Sequence, residues 1–181
     1  MRAVDLVIGI CWAAFWVYWI AAAIAVKPGQ SRWSRHAGGR VAIIVVIIFL
    51  VRELGFRARP VQNPVLTGIG LALFIGGLAL AVWARVFIGR NWGTPMSRKD
   101  EPELVTTGPY RRVRHPIYSG LILATGGTAL ATTLYGLIAV AVLGGFFIYS
   151  AIREEAYLTA QFPDAYPAYK QSTKMLIPFV F

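Results

Sequence analysis

Cysteine and charged side chains are both scarce in this chain of 181 residues. Cys11 is the only cysteine, which excludes an intrachain disulfide and any metal site built from several thiolates. Only 14% of the residues are charged, whereas 57% are hydrophobic and the mean hydropathy is +0.59. A soluble domain of this length carries more charge. The composition therefore predicts an integral membrane protein.

Acidic side chains are also few, and the imbalance gives the chain a net charge of +10. Such a charge indicates nucleic-acid binding when it forms a basic stripe on a soluble scaffold. In a chain this apolar, orientation in the membrane and contact with anionic headgroups are the better explanation. We therefore expect the lipid bilayer, and no nucleic acid, as a partner. The N-terminal apolar run is too long for a signal peptide and lacks a cleavage site, so we interpret it as a retained first span.

One stretch without charge is too long for a single membrane helix. Residues 116–152 contain no charged side chain over 37 positions, and as one helix they would measure about 55 Å. The hydrocarbon core of a bilayer is only about 30 Å thick, so the stretch is predicted to fold back as a helical hairpin. A hairpin returns both of its ends to one membrane face, where we expect His115 to meet Glu154 and Glu155.

The apolar runs together predict an all-α fold, an integral membrane helical bundle of about five transmembrane helices with a C-terminal helical hairpin. The predicted spans are residues 6–26, 38–56, 65–88, 117–132 and 134–152. Paired glycines at positions 126–127 and 144–145 predict a close approach of the two hairpin helices. We divide the chain into residues 1–64, with helices 1 and 2, and residues 65–181, with helices 3 to 5 and the C-terminal tail.

The distribution of Lys and Arg predicts the orientation of this multi-pass protein. With five spans, one side of the membrane receives 14 basic residues and the other side receives four. The positive-inside rule then places the N-terminus outside and the C-terminus in the cytosol. Both ends of the hairpin would face the cytosol.

The entry to the hairpin favours an anion. Pro116 occupies the first helical position, where a missing N–H costs nothing. The helix N-terminus directs free N–H groups and a positive dipole end toward His115, and Arg114 adds a positive charge. A carboxylate or phosphate would be favoured there. Arg111 and Arg112 are better explained as interfacial anchors.

The exit from the hairpin carries two carboxylates in an unusual place. Glu154 and Glu155 fall at the predicted C-terminal end of a helix, where the helix dipole disfavours negative charge. Either they pair with Arg114 and Arg153, or one of them binds a cationic or hydroxyl-bearing ligand. Entry and exit together suggest a binding site for a small zwitterion. The residues around His115 do not form a metal site.

Four stretches of the chain resemble, in order, the isoprenylcysteine carboxyl methyltransferase family, small integral membrane methyltransferases that include phospholipid N-methyltransferases. The first is Arg85-Val-Phe-Ile-Gly-Arg-Asn-Trp92, and the second is Glu103-Leu-Val-Thr-Thr-Gly-Pro-Tyr110. The third, Arg114-His-Pro-Ile-Tyr-Ser-Gly120, is the most specific signature. The fourth begins at Glu154-Glu-Ala-Tyr-Leu158 and continues to Pro178. The ordered set covers about half of the chain.

The resemblance implies that S-adenosylmethionine is the methyl donor, bound on the cytosolic side. The residues that would line its pocket are Glu103, Leu104, Val105, Tyr110, Arg114, His115, Pro116, Ile117, Tyr118 and Glu154. Adjacent helical residues point about 100° apart, so we expect only one glutamate to face the cleft beside His115, and the resemblance assigns that place to Glu154. Glu155 would then turn toward Arg153, the headgroups or the Arg111–Arg114 cluster and act mainly in structure. If the acceptor must lose a proton, Glu155 and Tyr118 are the candidate catalytic residues. A carboxylate acceptor needs no base.

The resemblance therefore implies an integral membrane S-adenosylmethionine-dependent methyltransferase with an amphipathic, membrane-embedded acceptor, either an isoprenylcysteine-like carboxylate or a lipid. Its partners would be the bilayer and a membrane lipid or a prenylated small-molecule or protein substrate. Ser150 stands where eukaryotic prenylcysteine-methylating members carry an arginine, which leaves the acceptor open. Two alternatives remain. One is an NADPH-dependent membrane reductase of the sterol reductase type, and the other is a non-catalytic lipid-binding protein.

Overall fold

A computed structural model of the protein describes residues 2–23, 29–30, 59–92, 98–99 and 103–181. In these ranges the chain forms five α-helices: α1 (Ala3–Ala23), α2 (Pro64–Ile88), α3 (Pro116–Ala131), α4 (Gly136–Gln161) and α5 (Ala165–Ser172). Two short 3-10 helices are Gly89–Asn91 and Gly108–Arg111. The two-residue strands β1 (Gly29–Gln30) and β2 (Arg98–Lys99) pair in antiparallel.

Three of these helices are long and apolar enough to cross a bilayer, namely α1 over Ala3–Ala22, α2 and α4. α3 is apolar but has only 16 residues, about 24 Å of helix, and is shorter than the hydrocarbon core. The predicted all-α membrane bundle is confirmed, and α1 and α2 correspond to the expected first and third spans. The predicted second span, residues 38–56, lies outside the described residues.

The C-terminal hairpin has the predicted form. α3 ends at Ala131 and α4 begins at Gly136, and a hydrogen bond from Gly136 N to Thr133 O (2.9 Å) closes the turn. Because α3 and α4 pack against each other, the start of α3 and the later part of α4 lie at the same end of the bundle.

The expectation that Glu154 and Glu155 end a helix is wrong. α4 continues through both residues to Gln161 and stops only at Phe162, directly before a proline. The polar residues that follow the uncharged stretch include strong helix formers, so the loss of hydrophobicity does not end the helix. A proline disfavours helical geometry in the residue before it, and this is where α4 stops. The two carboxylates are therefore inside the helix, away from its C-terminal dipole.

The most extensive helix contact among the described residues joins α2 and α3. Small residues on the two helices face each other, and they are Gly70, Gly77 and Ala81 on α2 and Gly120, Ala124, Gly127 and Ala131 on α3. A methyl group added at Gly70 would lie 2.6 Å from the backbone N of Ala131. The backbones thus touch directly, as expected where lipid removes the hydrophobic drive and helices associate through close packing.

The glycines of the hairpin do not have the contacts that we expected from the sequence. A methyl group at Gly144 or Gly145 would meet nothing within 4 Å in the part of the chain that the structure describes. At Gly126 it would reach one side-chain atom of α4 at 4.0 Å. Gly127 faces the backbone of α2 instead of α4. The predicted approach of the two hairpin helices through the glycines at 126–127 and 144–145 is wrong, because Gly127 serves the α2–α3 pair. The two hairpin helices approach closely at Gly136 instead, where an added methyl group would lie 2.8 Å from the side chain of Ala129.

Two arginines fix the position of α1. At its start, Arg2 donates to Val61 O (2.6 Å) and Thr132 O (3.1 Å), which lie before α2 and after α3. At its other end, Ala22 O accepts from Arg85 Nη2 (2.6 Å), near the end of α2. α1 and α2 therefore run in the same direction, and both end where α3 begins.

A hydrophobic cluster fills that end of the bundle. Its buried members are Ala84, Trp92, Tyr110, Ile117, Tyr118, Phe147, Ala151 and Leu176, with Trp19 and Val105 packed against them. The members come from α1, α2, α3, α4 and the segments beside them, so the cluster brings distant parts of the sequence together. It fixes the backbone that carries the polar residues described below.

Gly77 and Gly76 provide a test of the α2–α3 contact. Gly77→Ala would place a methyl group against the backbone N of Ala124, and overpacking of this kind costs about 1–3 kcal/mol. Gly76→Ala, one residue earlier, meets nothing within 4 Å of the described chain and should be neutral or stabilising by up to about 1 kcal/mol. Thermal unfolding of both variants in the same detergent measures the difference. Equal melting temperatures would contradict the close contact.

Candidate functional site

The segment before α3 is held by the C-terminal segment of the chain. Residues 112–115 and 173–176 run side by side in parallel. Hydrogen bonds that join this region include Lys174 N to Arg112 O (3.2 Å), Arg114 N to Lys174 O (2.8 Å), His115 N to Met175 O (3.1 Å) and Ser119 Oγ to Leu176 O (2.6 Å). The last of them reaches the first turn of α3, so the C-terminal segment supports both the approach to the helix and its beginning.

His115 belongs to a stack of three rings. Its imidazole is parallel to the ring of Tyr118, with 5.4 Å between the centroids and 3° between the planes. Tyr118 stacks in turn on Phe147 of α4, at 4.5 Å and 15°. Residues three apart lie on the same side of a helix, which lets His115 and Tyr118 face Phe147 together. Offset stacking of this kind is favourable, and it forms a flat wall between the hairpin helices.

Glu154 lies at the edge of this wall. The hydroxyl of Tyr118 donates to Glu154 Oε1 (2.6 Å), and His115 Nδ1 lies 3.6 Å from Glu154 Oε2. The side chain of Glu154 is 23% exposed. Glu154 is therefore the less buried of the two adjacent glutamates.

Glu155 is buried on the other side of the imidazole, with its side chain 3% exposed. Its carboxylate accepts from Arg114 Nε (2.6 Å) and pairs with Lys170 Nζ (2.8 Å). Charge-assisted contacts of this length stabilise the ionised carboxylate. The pairing with Arg114, one of the two alternatives predicted for these glutamates, is present for Glu155.

Both glutamates lie beside His115, one on each side of the ring. Nδ1 of the imidazole faces Glu154, and Nε2 lies 3.5 Å from Glu155 Oε1. The ring lies between the two side chains, and a separation of about 100° around the helix directs them to its two nitrogens. Only the Glu154 side chain is partly exposed, whereas Glu155 turns toward Arg114, within the Arg111–Arg114 cluster, as expected. Nε2 is buried and forms no hydrogen bond with the described residues.

α5 and the segment after it complete the site. Arg114 Nη1 donates to Thr173 O (2.6 Å), and the hydroxyl of Tyr169 donates to Tyr110 O (2.7 Å). Burial raises the pKa of the Tyr169 hydroxyl, which therefore keeps the proton that it donates. Together with Lys170, these side chains attach α5 to the segment before α3 and to α4.

The remaining residues predicted for the pocket occupy different surroundings. Four of them share the hydrophobic cluster, and they are Val105, Tyr110, Ile117 and Tyr118. Pro116 is buried at the first position of α3, as predicted. Leu104 is half-buried. Glu103 is exposed, and its Oε2 accepts from Asn91 Nδ2 (2.7 Å) beyond the end of α2.

Sequence reasoning did not single out Lys170, Phe147 or Ser119 as site residues. Phe147 could have been found, because it precedes Glu154 by seven positions and residues at that spacing share a helix face. Lys170 follows Tyr169 in the last stretch of the family signature. Its place in the sequence does not show that α5 turns back and brings the Lys170 amine to Glu155.

Residues 65–165 match the family described as phospholipid methyltransferase. The match contains α2, α3 and α4 and with them both ends of the hairpin. The chain belongs to the phospholipid methyltransferase family.

The similar proteins include one named as an isoprenylcysteine methyltransferase and one named as a metal resistance protein. Protein-S-isoprenylcysteine O-methyltransferase B of Arabidopsis thaliana is 28% identical over 151 residues, which are 81% of this chain and 76% of the relative. The nickel-cobalt-cadmium resistance protein NccN of Alcaligenes xylosoxydans xylosoxydans is 29% identical over 157 residues, 85% of this chain and 70% of the relative.

A solved structure supports the fold. The eukaryotic intramembrane Ras methyltransferase, an isoprenylcysteine carboxyl methyltransferase, superposes with a TM-score of 0.56 at 24% identity. The superposition covers 83% of this chain but only 55% of the solved one. Family, relatives and fold together confirm the predicted class, a membrane methyltransferase.

Glu155→Gln should lower stability strongly. The change leaves the buried guanidinium of Arg114 without a counter-charge, and breaking a buried ion pair from one side costs about 3–5 kcal/mol. Lys170, whose side chain is 51% exposed, stays hydrated and adds little to this cost. Asp164→Asn is the matched control, because it neutralises an exposed carboxylate just beyond α4. Thermal unfolding in lipid nanodiscs measures both. A Glu155→Gln variant as stable as the control would show that the buried ion pairs do not hold the site.

Proposed function

We propose that the protein transfers a methyl group from S-adenosylmethionine and that residues 65–181 form the donor-binding core. The observation that carries this proposal is the convergence of the stacked rings of His115 and Tyr118 with the partly exposed side chain of Glu154. These groups come from the two ends of the hairpin. S-adenosylmethionine combines a sulfonium, an ammonium, a carboxylate and a flat base. Aromatic faces beside a carboxylate suit its cations and its base.

The residues present fit this donor. Glu154 offers an acceptor for an ammonium or for ribose hydroxyls, and the N-terminus of α3 at Pro116 favours the donor's carboxylate. Tyr110, Ile117 and the other apolar members of the cluster would line the remaining wall. The bound donor would supply an electrophilic methyl group on its sulfonium. The protein's own part would be to bind, orient and exclude water, since in-line transfer depends mainly on positioning.

The surroundings of the two candidate catalytic residues favour an acceptor that needs no base. Glu155 is ionised between Arg114 and Lys170, and taking a proton would forfeit both contacts. The hydroxyl of Tyr118 already donates to Glu154. We therefore propose that Glu155 positions Arg114 and His115, that Tyr118 positions Glu154, and that the acceptor atom arrives already nucleophilic. A carboxylate meets this condition at neutral pH.

The acceptor that we propose is amphipathic and reaches the site from the bilayer. The exposed apolar faces of α1, α2 and α4 suit a membrane-dissolved molecule, and the Arabidopsis and eukaryotic proteins above are named for isoprenylcysteine. Ser150 is buried and its hydroxyl donates to Phe146 O (2.8 Å), so it offers no cation for an acceptor carboxylate. An isoprenylcysteine-like carboxylate and a lipid both remain candidates.

Donor binding tests the proposal directly. Calorimetry with S-adenosylhomocysteine should show a loss of about 1.5–3 kcal/mol for His115→Ala and for Glu154→Gln, the value of a hydrogen bond to a charged group. Asp164→Asn should bind like the wild type. Wild-type affinity in both site variants would remove the two residues from the donor pocket.

Parallel titrations with NADPH and with lipid have two outcomes that would overturn the proposed methyltransferase function. Binding of NADPH without S-adenosylhomocysteine would favour the reductase alternative. Binding of neither, with lipid binding retained, would favour a non-catalytic lipid-binding protein.

We also propose that the site faces the cytosol, because of the 14-to-4 distribution of basic residues. Gln171 is exposed on α5, next to the site. In a Cys11→Ser background, a cysteine at Gln171 should react with a membrane-impermeant maleimide only from the cytosolic side. Labelling from the opposite side alone would reverse the orientation.

A further inference from the structure

Residues 177–181 form an apolar turn on the surface of the protein. Phe179 is 85% exposed and Val180 is 71% exposed, and Ile177 and Phe181 are also exposed. The backbone closes the turn, because Ile177 O accepts from the N–H groups of Val180 (3.2 Å) and Phe181 (3.0 Å). The turn therefore presents its apolar side chains in a fixed arrangement.

Elsewhere in the described chain, exposed apolar side chains mark the membrane helices. Every other exposed large hydrophobic residue lies on α1, α2, α3 or α4 or in the turn between α3 and α4. α5 carries none of them. Contiguous exposed apolar residues indicate a contact surface, and in this molecule the other such surfaces face lipid.

The depth of the turn follows from the length of α3. This helix is about 24 Å long and the hydrocarbon core is about 30 Å thick, so each end of an α3 that lies within the core is within about 6 Å of a hydrocarbon boundary. Ser119 in the first turn of α3 donates to Leu176 O (2.6 Å), and Leu176 is buried in the hydrophobic cluster. Residues 177–181 therefore leave the protein at the level of the bilayer surface.

Basic side chains flank the turn. Lys174, Arg111 and Arg112 are exposed, and Lys174 N donates to Arg112 O (3.2 Å), which places these residues close together. Cations at a bilayer surface bind anionic headgroups, and long basic side chains reach them from a buried stem. An apolar turn beside exposed cations has the composition of an interfacial membrane anchor.

We propose that residues 177–181 insert at the boundary between headgroups and acyl chains and thereby hold residues 173–176 against the start of α3. The partner is the lipid surface of the leaflet on the side of the site. Two hydrogen bonds then transmit this anchoring to the site, because Arg114 N donates to Lys174 O and His115 N donates to Met175 O. The bilayer is in this way part of what positions His115.

The location of the turn is tested with nitroxide labels in nanodiscs that contain anionic lipid. In the Cys11→Ser background, single cysteines replace Phe179, Val180 or Gln171. Labels at positions 179 and 180 should be accessible to oxygen and protected from a water-soluble nickel chelate, and the label at 171 should show the reverse. Nickel accessibility at 179 and 180 equal to that at 171 would overturn the insertion.

The coupling between membrane insertion of residues 177–181 and the position of His115 is tested by hydrogen exchange of the amides of Arg114 and His115. Phe179→Asn combined with Val180→Asn removes the apolar side chains without adding charge, and Asn tolerates the positive φ of 66° at position 179. Exchange at both amides should become at least about tenfold faster in nanodiscs. The matched control is Leu134→Asn combined with Tyr135→Asn, an exposed apolar pair at the other end of the hairpin, and it should leave both amides unchanged.

Unchanged exchange in the Phe179/Val180 variant would overturn the coupling, and equal acceleration in the control pair would show a general loss of stability instead. Neither measurement uses a methyl donor. The result is therefore independent of whether S-adenosylmethionine binding is demonstrated.

Discussion

The carboxylate of Glu155 connects three parts of the chain that are far apart in sequence. It lies on α4, and its partners are Arg114 before α3 and Lys170 on α5. Arg114 reaches in turn to Thr173 O, so the C-terminal segment is attached through the same charge. His115 lies against this carboxylate with one ring nitrogen and against Glu154 with the other. The position of the imidazole thus depends on an ion-pair network whose centre is a single buried side chain.

The α2–α3 contact determines where this network can form. Gly120 and Gly77 allow the two backbones to touch, and this fixes the start of α3 beside the end of α2. The hydrophobic cluster then joins Trp92 and Tyr110 to Phe147 of α4. Lipid gives packed helices little hydrophobic drive, and close contact between small residues replaces it. A bundle arranged in this way can keep a polar site at its end, although three of its described helices are apolar enough to cross a bilayer.

Much of this arrangement could be predicted because it follows from charge and length. The uncharged residues 116–152 cannot cross a bilayer once, so a hairpin was required, and it brings His115 to Glu154. The end of α4 could not be predicted from polarity, since the charged residues after Ile152 remain helical. The glycine partners could not be predicted either, because sequence spacing identifies small residues on a face but not the helix that they meet. Lys170 was missed for the same reason, as its contact depends on the packing of α5.

The different surroundings of Glu154 and Glu155 explain how two adjacent carboxylates could serve different purposes. A buried ion pair adds little stability over a hydrophobic alternative of the same volume, because desolvation offsets most of the attraction. The Glu155 network is therefore better understood as fixing geometry. It holds Arg114 and the C-terminal segment in position, and it supports one face of the His115 ring. Because two cations balance its charge, Glu155 adds little negative potential toward the open side of the site. Glu154 is partly exposed and is oriented by the hydroxyl of Tyr118, so in the proposed site this carboxylate would be the one that attracts a cationic group of the ligand. Environment, rather than position in the sequence, separates the roles of the pair.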